Sequence, residues 1–189
     1  MRKPRALGAL VLLALGTGAW AQQAKPAPAP ATAAARPSLV LETAKGTFEI
    51  ELLPAVAPKS VEQVLRLVRK GFYRGLRFHR SELSLVQIGD PRSRDMSWRD
   101  AWGATSSGSP VGVAEMSPTV KHVRGTVAMA NAGDARYSDS QFYIMKRPSP
   151  SLDGKYTIIG RVTAGMEVVD KLEVADVLKN IYVKGEGPK

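Results

Sequence analysis

Four short stretches of the chain bring together side chains able to do chemistry. They are Phe78-His79-Arg80, Gln87 ahead of Gly89-Asp90, Met129-Ala130-Asn131-Ala132-Gly133, and Ser140-Gln141-Phe142 followed by Leu152-Asp153-Gly154-Lys155. They supply one arginine, side-chain amides, a backbone-rich turn and apolar walls. They supply no obvious nucleophile, no metal-ligand set and no acid/base pair. Such a set grips a polar group on an apolar ligand and makes or breaks no bond through its own side chains. The only histidines, His79 and His122, stand in no zinc-binding spacing, so no metal is expected. Cysteine is absent, which removes thiol catalysis and cysteine metal sites. No G-x-S-x-G elbow is present, and the Gly103–Ser109 cluster lacks the lysine of a phosphate loop.

Taken one at a time, these residues read two ways. Strand alternation through Leu76-Arg77-Phe78-His79-Arg80 places Leu76, Phe78 and Arg80 on one face. Arg80 is then either an edge arginine in a surface ion pair or a guanidinium held over an apolar pocket, presenting fixed donors. Gln87 and Gln141 read as strand residues or as ligand contacts. Asn131 reads as a turn residue or as part of a binding turn. Tyr143 and Leu152 read as core or as pocket wall.

Strands must position these groups. Ser38–Thr43 and Thr47–Leu52, joined at Lys45-Gly46, form a hairpin with Phe48, Ile50 and Leu52 on one face. The clearest helix follows, with Ser60 as N-cap, Gln63 completing a capping box, and Val61, Val64, Leu65 and Val68 as its apolar stripe. Lys70 suits its negative end and Gly71 its left-handed cap. Further strands are expected at 75–80, 83–88, 111–115, 125–130, 141–145 and 157–162, a short helix after Gly165, and a closing strand at Ile181-Tyr182-Val183. Residues 91–110 read as irregular. The pattern predicts a mainly β fold, a closed eight-stranded antiparallel barrel capped by two α-helices.

The 189 residues divide into three parts. Residues 1–21 read as a secretory signal peptide: a basic start at Arg2, Lys3 and Arg5, an apolar run from Ala6 to Leu15, and an Ala19-Trp20-Ala21 cleavage site. That run is too short to span a bilayer, so no stable membrane insertion is expected after cleavage. Residues 22–37 are a Pro/Ala-rich linker, and 38–185 the folded domain. The product is expected to be exported, periplasmic or extracellular. The net charge of +10 is spread along the chain without a basic stripe, which argues for a solvated basic surface and against nucleic-acid binding.

Taken together, from Leu39 to Leu172, the ordered motifs resemble the cyclophilin-type peptidyl-prolyl isomerases. The likeness runs through Lys45-Gly46, Ala57-Pro58-Lys59-Ser60, Lys70-Gly71-Phe72-Tyr73, Phe78-His79-Arg80, Gly125–Gly133, Ser140-Gln141-Phe142, Leu152–Lys155 and Gly160-Arg161-Val162. The resemblance implies an eight-stranded barrel with two helices, and catalysis of X-Pro bond rotation by Arg80, Gln87 and Asn131. It implies substrate binding by Leu85, Ala130, Ala132, Gln141, Tyr143, Leu152 and Tyr156. No cofactor is implied. The partners would be proline-containing polypeptide clients met by a monomer, as exported proteins fold.

The chain also departs from the family pattern. Segment 81–86 is one residue shorter, and Leu85 is taken for the pocket phenylalanine. The other pocket phenylalanine is Tyr143, and the pocket histidine is Tyr156. Ser151 stands where cyclosporin-sensitive forms carry Trp, which implies poor binding of that drug. Residues 92–110 replace a glycine-rich loop. These changes leave room for an alternative, a proline-peptide-binding module or chaperone of the same fold with little turnover.

Overall fold

The computed structural model describes residues 36–188. The expected signal peptide and all of the linker except Arg36 and Pro37 lie outside the described residues. Pro37 already belongs to the fold, because its carbonyl accepts the Leu52 N–H at 2.8 Å.

Eight strands make one antiparallel sheet: β1 (Ser38–Thr43), β2 (Gly46–Leu52), β3 (Arg80–Ser81), β4 (Leu85–Ile88), β5 (Thr126–Met129), β6 (Phe142–Met145), β7 (Ile158–Ala164) and β8 (Leu178–Val183). Their order is β3-β4-β6-β5-β7-β2-β1-β8. The end strands β3 and β8 share no ladder. Segments 75–78 and 175–178, which flank them, meet through an Arg77–Val177 bridge and bonds such as Phe78 N–H to Asp176 O, 2.9 Å. The closed barrel expected from the sequence is therefore found as a curled sheet, open in its strand pairing. Two α-helices accompany it, α1 (Pro58–Arg69) and α2 (Met166–Lys171).

The main core lies on one face of this sheet, where α1 buries Val61, Val64, Leu67 and Val68 against Phe48, Ile50, Phe78, Ile88, Phe142 and Ile144. Gly71 ends the helix region with φ +70°, the left-handed geometry expected of it. Its start differs from expectation. Pro58 is the first helical residue and Ala57 the cap, with no side-chain capping bond. A proline has no N–H to lose, so it fits the first turn at little cost. Ser60 is inside the helix, and Gln63 makes no capping box: its amide donates to Ser109 O at 2.7 Å. The orphan N–H groups of Lys59 and Ser60 instead donate to the Glu115 carboxylate at 2.9 and 2.8 Å, and the Ser60 hydroxyl joins them. An anion at this end also suits the helix dipole.

Glu115 explains a second difference. Residues 111–115 form no strand but an irregular strap that carries this carboxylate to the helix. The expected strand 75–80 shrinks to Arg80–Ser81, because residues 75–78 bond towards β8 while Arg80 pairs with β4. The strand expected at 83–88 starts at Leu85, since Glu82 N–H bonds Leu85 O in a tight turn.

Glu115→Ala leaves the first turn of α1 uncapped and is expected to lower stability by about 1–2 kcal/mol, the usual scale for a lost N-terminal cap. Chemical denaturation checks this. Ser60→Ala, which keeps both backbone bonds, should cost less.

Candidate active site

Strand register builds the site. Across β3, β4, β6, β5 and β7, Arg80 pairs with Gln87, Gln87 with Tyr143, Tyr143 with Ala128, and Ala128 with Ile158. Directly paired residues share a face, so these five form one row across the sheet. Their neighbours Val86, Ile144 and Val127 point the other way, into the main core. The row therefore lies on the side of the sheet opposite the core. Alternation through residues 76–80 does not hold: Leu76 and Phe78 are wholly buried in the main core, whereas the Arg80 side chain is 48% exposed.

A second apolar cluster lies on this outer face. Leu85, Ala128, Tyr143, Met145 and Ile158 are buried, with Ala130, Leu152, Tyr156, Val120 and Leu53 packed against them. Five of the expected contact residues thus converge: Leu85, Ala130, Tyr143, Leu152 and Tyr156. The rings of Tyr143 and Tyr156 meet edge-on at 5.7 Å. Beside this cluster is a polar pocket of about 210 Å³ lined by Gln87, Gln141, Ala130, Asn131 and Ala132, with residues 103–106 opposite. Ala130 borders both.

The polar groups are chained. The Arg80 Nε donates to Glu82 at 2.7 Å, and Nη1 reaches Gln87 Oε1 at 3.4 Å. Gln87 Nε2 donates to Gln141 Oε1 at 2.8 Å, and Gln141 Nε2 donates to the carbonyls of Gly103 and Thr105 at 2.9 and 2.7 Å. Both amides are thereby fixed in orientation. Asn131 Oδ1 accepts the Gly133 N–H at 2.9 Å and holds the turn, while its buried Nδ2 has no partner. Arg80 therefore makes the surface ion pair of its first reading and reaches the pocket only through Gln87, which lines it.

Several contributors carried no sequence signal. Asp90 and Asp139 are buried carboxylates that pin the loop opposite the amides. Asp90 accepts from the N–H groups of Arg92, Gly103 and Thr105 and from the Thr105 hydroxyl. Asp139 accepts from Ser106, Ser107 and the Ser109 N–H. His122 bonds the Tyr143 hydroxyl and Asp153. Only pairing in space reveals these roles. Gly89-Asp90 was visible as a turn, and its glycine is required. At φ +119°, a Cβ there would lie 2.2 Å from Ser140 O.

The folded body matches a family model described as cyclophilin type peptidyl-prolyl cis-trans isomerase/CLD, over residues 38–185. The chain belongs to the cyclophilin-type peptidyl-prolyl cis-trans isomerases. A probable peptidyl-prolyl cis-trans isomerase of Brucella suis is 37% identical over 185 residues, 95% of this chain and 89% of the relative. An Arabidopsis thaliana peptidyl-prolyl cis-trans isomerase is 38% identical over 138 residues, 72% of this chain and 80% of that protein. A crystal structure of a cyclophilin type isomerase from Cryptosporidium parvum superposes with a TM-score of 0.68 at 24% identity, covering 78% of this chain and 97% of that one. The activity is therefore peptidyl-prolyl isomerisation. The cyclophilin fold accounts for the curled eight-stranded sheet. Among the described residues no group of His, Asp and Glu could hold a metal ion, and no helix is long and apolar enough to cross a membrane.

The loop pinned by Asp90 should be acid-sensitive. Burial alone would raise this carboxyl's pKa, but the bonds from Thr105, Arg92 and Gly103 outweigh it and hold the group below its ordinary value. A depressed carboxylate stabilises the fold above its unfolded pKa, and that stability is lost as pH falls through the folded value. Asp90→Asn is expected to cost about 1–3 kcal/mol at neutral pH. The gap from the parent should begin to shrink below about pH 4, where the unfolded parent takes up the proton, and close once the folded carboxyl is protonated too. Denaturation midpoints across pH check both.

Proposed function

We propose that Arg80 drives the isomerisation, that Leu85, Tyr143, Leu152 and Tyr156 hold the proline ring, and that Gln87, Gln141 and the 130–132 turn hold the flanking peptide. The observation that carries this reading is the single row of Arg80, Gln87 and Tyr143 on adjacent strands, beside the apolar cluster that includes Leu85, Leu152 and Tyr156. The barrier to rotation is about 18–20 kcal/mol and comes from amide resonance. Twisting the bond returns the lone pair to the proline nitrogen. A guanidinium N–H aimed at that nitrogen stabilises the twisted form and not the planar one, which is what lowers a barrier. A ring seated in the recess on one side and a peptide held by amides on the other leave the intervening bond free to turn. A Cryptosporidium parvum relative was crystallised in the presence of the dipeptide Ala-Pro. A proline-containing polypeptide is the corresponding ligand proposed for this chain.

The clients are proposed to be exported proteins, met outside the cytoplasm by a monomer during folding. The basic start, apolar run and Ala19-Trp20-Ala21 site support export. Export predicts a mature protein that begins at Gln22, read by intact-mass measurement of the chain recovered from the cell envelope or medium. A chain retaining residues 1–21 there would count against cleavage.

Arg80→Ala is expected to lower kcat/KM on an X-Pro peptide by about 100-fold or more, the scale for removing one donor to transition-state charge. The side chain is half exposed, so the fold should survive, and circular dichroism with thermal unfolding checks that. Unchanged kcat/KM would refute the assignment of Arg80.

A further inference from the structure

We propose that His122 is a positioning residue for the proline-binding recess, locking the Tyr143 ring to the segment that carries Leu152 and Tyr156. The inference rests on the reading above, in which that recess receives the proline ring.

The resemblance places Tyr143 where the family carries phenylalanine. The extra hydroxyl lies on a side chain only 3% exposed, within an apolar cluster. A buried hydroxyl without a partner is costly, and an unsatisfied one would turn its ring towards solvent or the pocket mouth. His122 supplies the partner. Its side chain is fully buried, its Nε2 lies 3.0 Å from Tyr143 Oη, and its ring stacks within 19° of the tyrosine plane. Its Nδ1 lies 3.0 Å from Asp153 Oδ1, which also accepts the His122 backbone N–H at 2.8 Å.

The proton positions follow from these contacts. Burial pushes the Tyr143 phenol's pKa up, so it keeps its proton. The Asp153 carboxylate can only accept, which calls for a proton on Nδ1; with the imidazole proton there, Nε2 accepts from the Tyr143 hydroxyl. Asp153 is held below its ordinary value by the His122 backbone and side-chain bonds, and so remains an acceptor. Asp153 directly follows Leu152, and Tyr156, three residues beyond it, packs edge-on against Tyr143. Ser149 N–H bonds His122 O at 2.8 Å at the other end of the same segment. One imidazole thus joins the recess wall on β6 to the recess wall on the 149–156 segment. The His122 backbone ties this segment at Asp153 and Ser149, and the imidazole extends the tie to the Tyr143 hydroxyl.

The two nitrogens can be tested apart. An asparagine amide reproduces the Nδ1 position and keeps the Asp153 bond. A glutamine amide oxygen reproduces Nε2 and keeps the Tyr143 bond. Steady-state kcat and KM on an X-Pro peptide, read well below the unfolding temperature, separate the variants. His122→Asn is expected to lower kcat/KM roughly tenfold, chiefly through KM, because ring binding is lost in ground and transition states alike. His122→Gln should stay within about twofold of the parent. Adding Tyr143→Phe to His122→Asn should restore most of the loss, because the stranded hydroxyl is gone. Equal effects of Asn and Gln, or no recovery in the double variant, would overturn the proposal. So would losses that merely follow thermal stability. An inactive parent protein would refute the isomerase site as read above, and this role with it. An active parent with an indifferent His122→Asn refutes this role alone.

Discussion

A β-strand has two faces, and β5 and β6 are buried on both. That constraint organises the molecule. One face closes the main core against α1. The other could not be left to water without exposing Ala128, Tyr143, Met145 and Ile158, so Leu53, Val120, Ala130, Leu152 and Tyr156 pack over it. Leu152 and Tyr156 at its margin are only half-buried, and that margin is the recess proposed for the ring. Its floor is therefore as rigid as the core, since the backbone that carries Tyr143 also carries Phe142 and Ile144. A pocket meant to distinguish a twisted amide from a planar one by small displacements benefits from such a floor.

The rim is built on a different principle. Residues 102–118 have almost no regular structure and bury little apolar surface, yet the pocket needs them as a wall. Buried carboxylates substitute for packing. Asp90 and Asp139 gather loop N–H and hydroxyl groups, and Glu115 ties the far end to α1. Charged acceptors make stronger bonds than neutral ones, so a few of them can order a long loop. The carbonyls of Gly103 and Thr105 then face Gln141, whose amide fixes Gln87, whose oxygen meets Arg80. Order passes from buried acids to the guanidinium through side chains whose donors are nearly all committed.

Local pattern carried the strands, because period-two alternation and glycine turns act over a few residues. β1 and β2 fall where alternation put them, and the Arg80, Gln87, Tyr143 and Leu152 positions follow from motif order. What pattern could not carry was anything decided by a distant partner. Ser60 and Gln63 satisfy the local rule for a helix start, but Pro58 with Glu115 makes a better one from 55 residues away. Val111–Glu115 has strand composition but bonds instead to the 136–138 turn and to the start of α1. Arg80 looked as if it shared the buried face of Phe78, since alternation assumes one continuous strand. The pull of segment 175–178 on residues 75–78 interrupts it. His122, Asp90 and Asp139 show the same limit, because a lone polar residue in sequence reveals its role only when its partners are known.

Arg80 poses the sharpest physical question. A half-exposed guanidinium is well solvated, and its donors are worth little against water. Its value must come from what the substrate does on arrival. A proline ring filling the recess and a peptide lying along Gln87 and Ala130 would strip water from the side of Arg80 that faces Tyr143. Glu82 holds the other side at Nε. A carboxylate there offsets part of the positive charge, which weakens long-range attraction. It also removes the rotational freedom of a long side chain, an entropy loss otherwise incurred on binding. Under the role proposed for Arg80, in which one N–H is aimed at one nitrogen, orientation outweighs net charge. A neighbouring anion is thus compatible with the proposed catalysis so long as it binds Nε and leaves the Nη donors to the substrate, and here Glu82 takes Nε while Nη1 reaches Gln87.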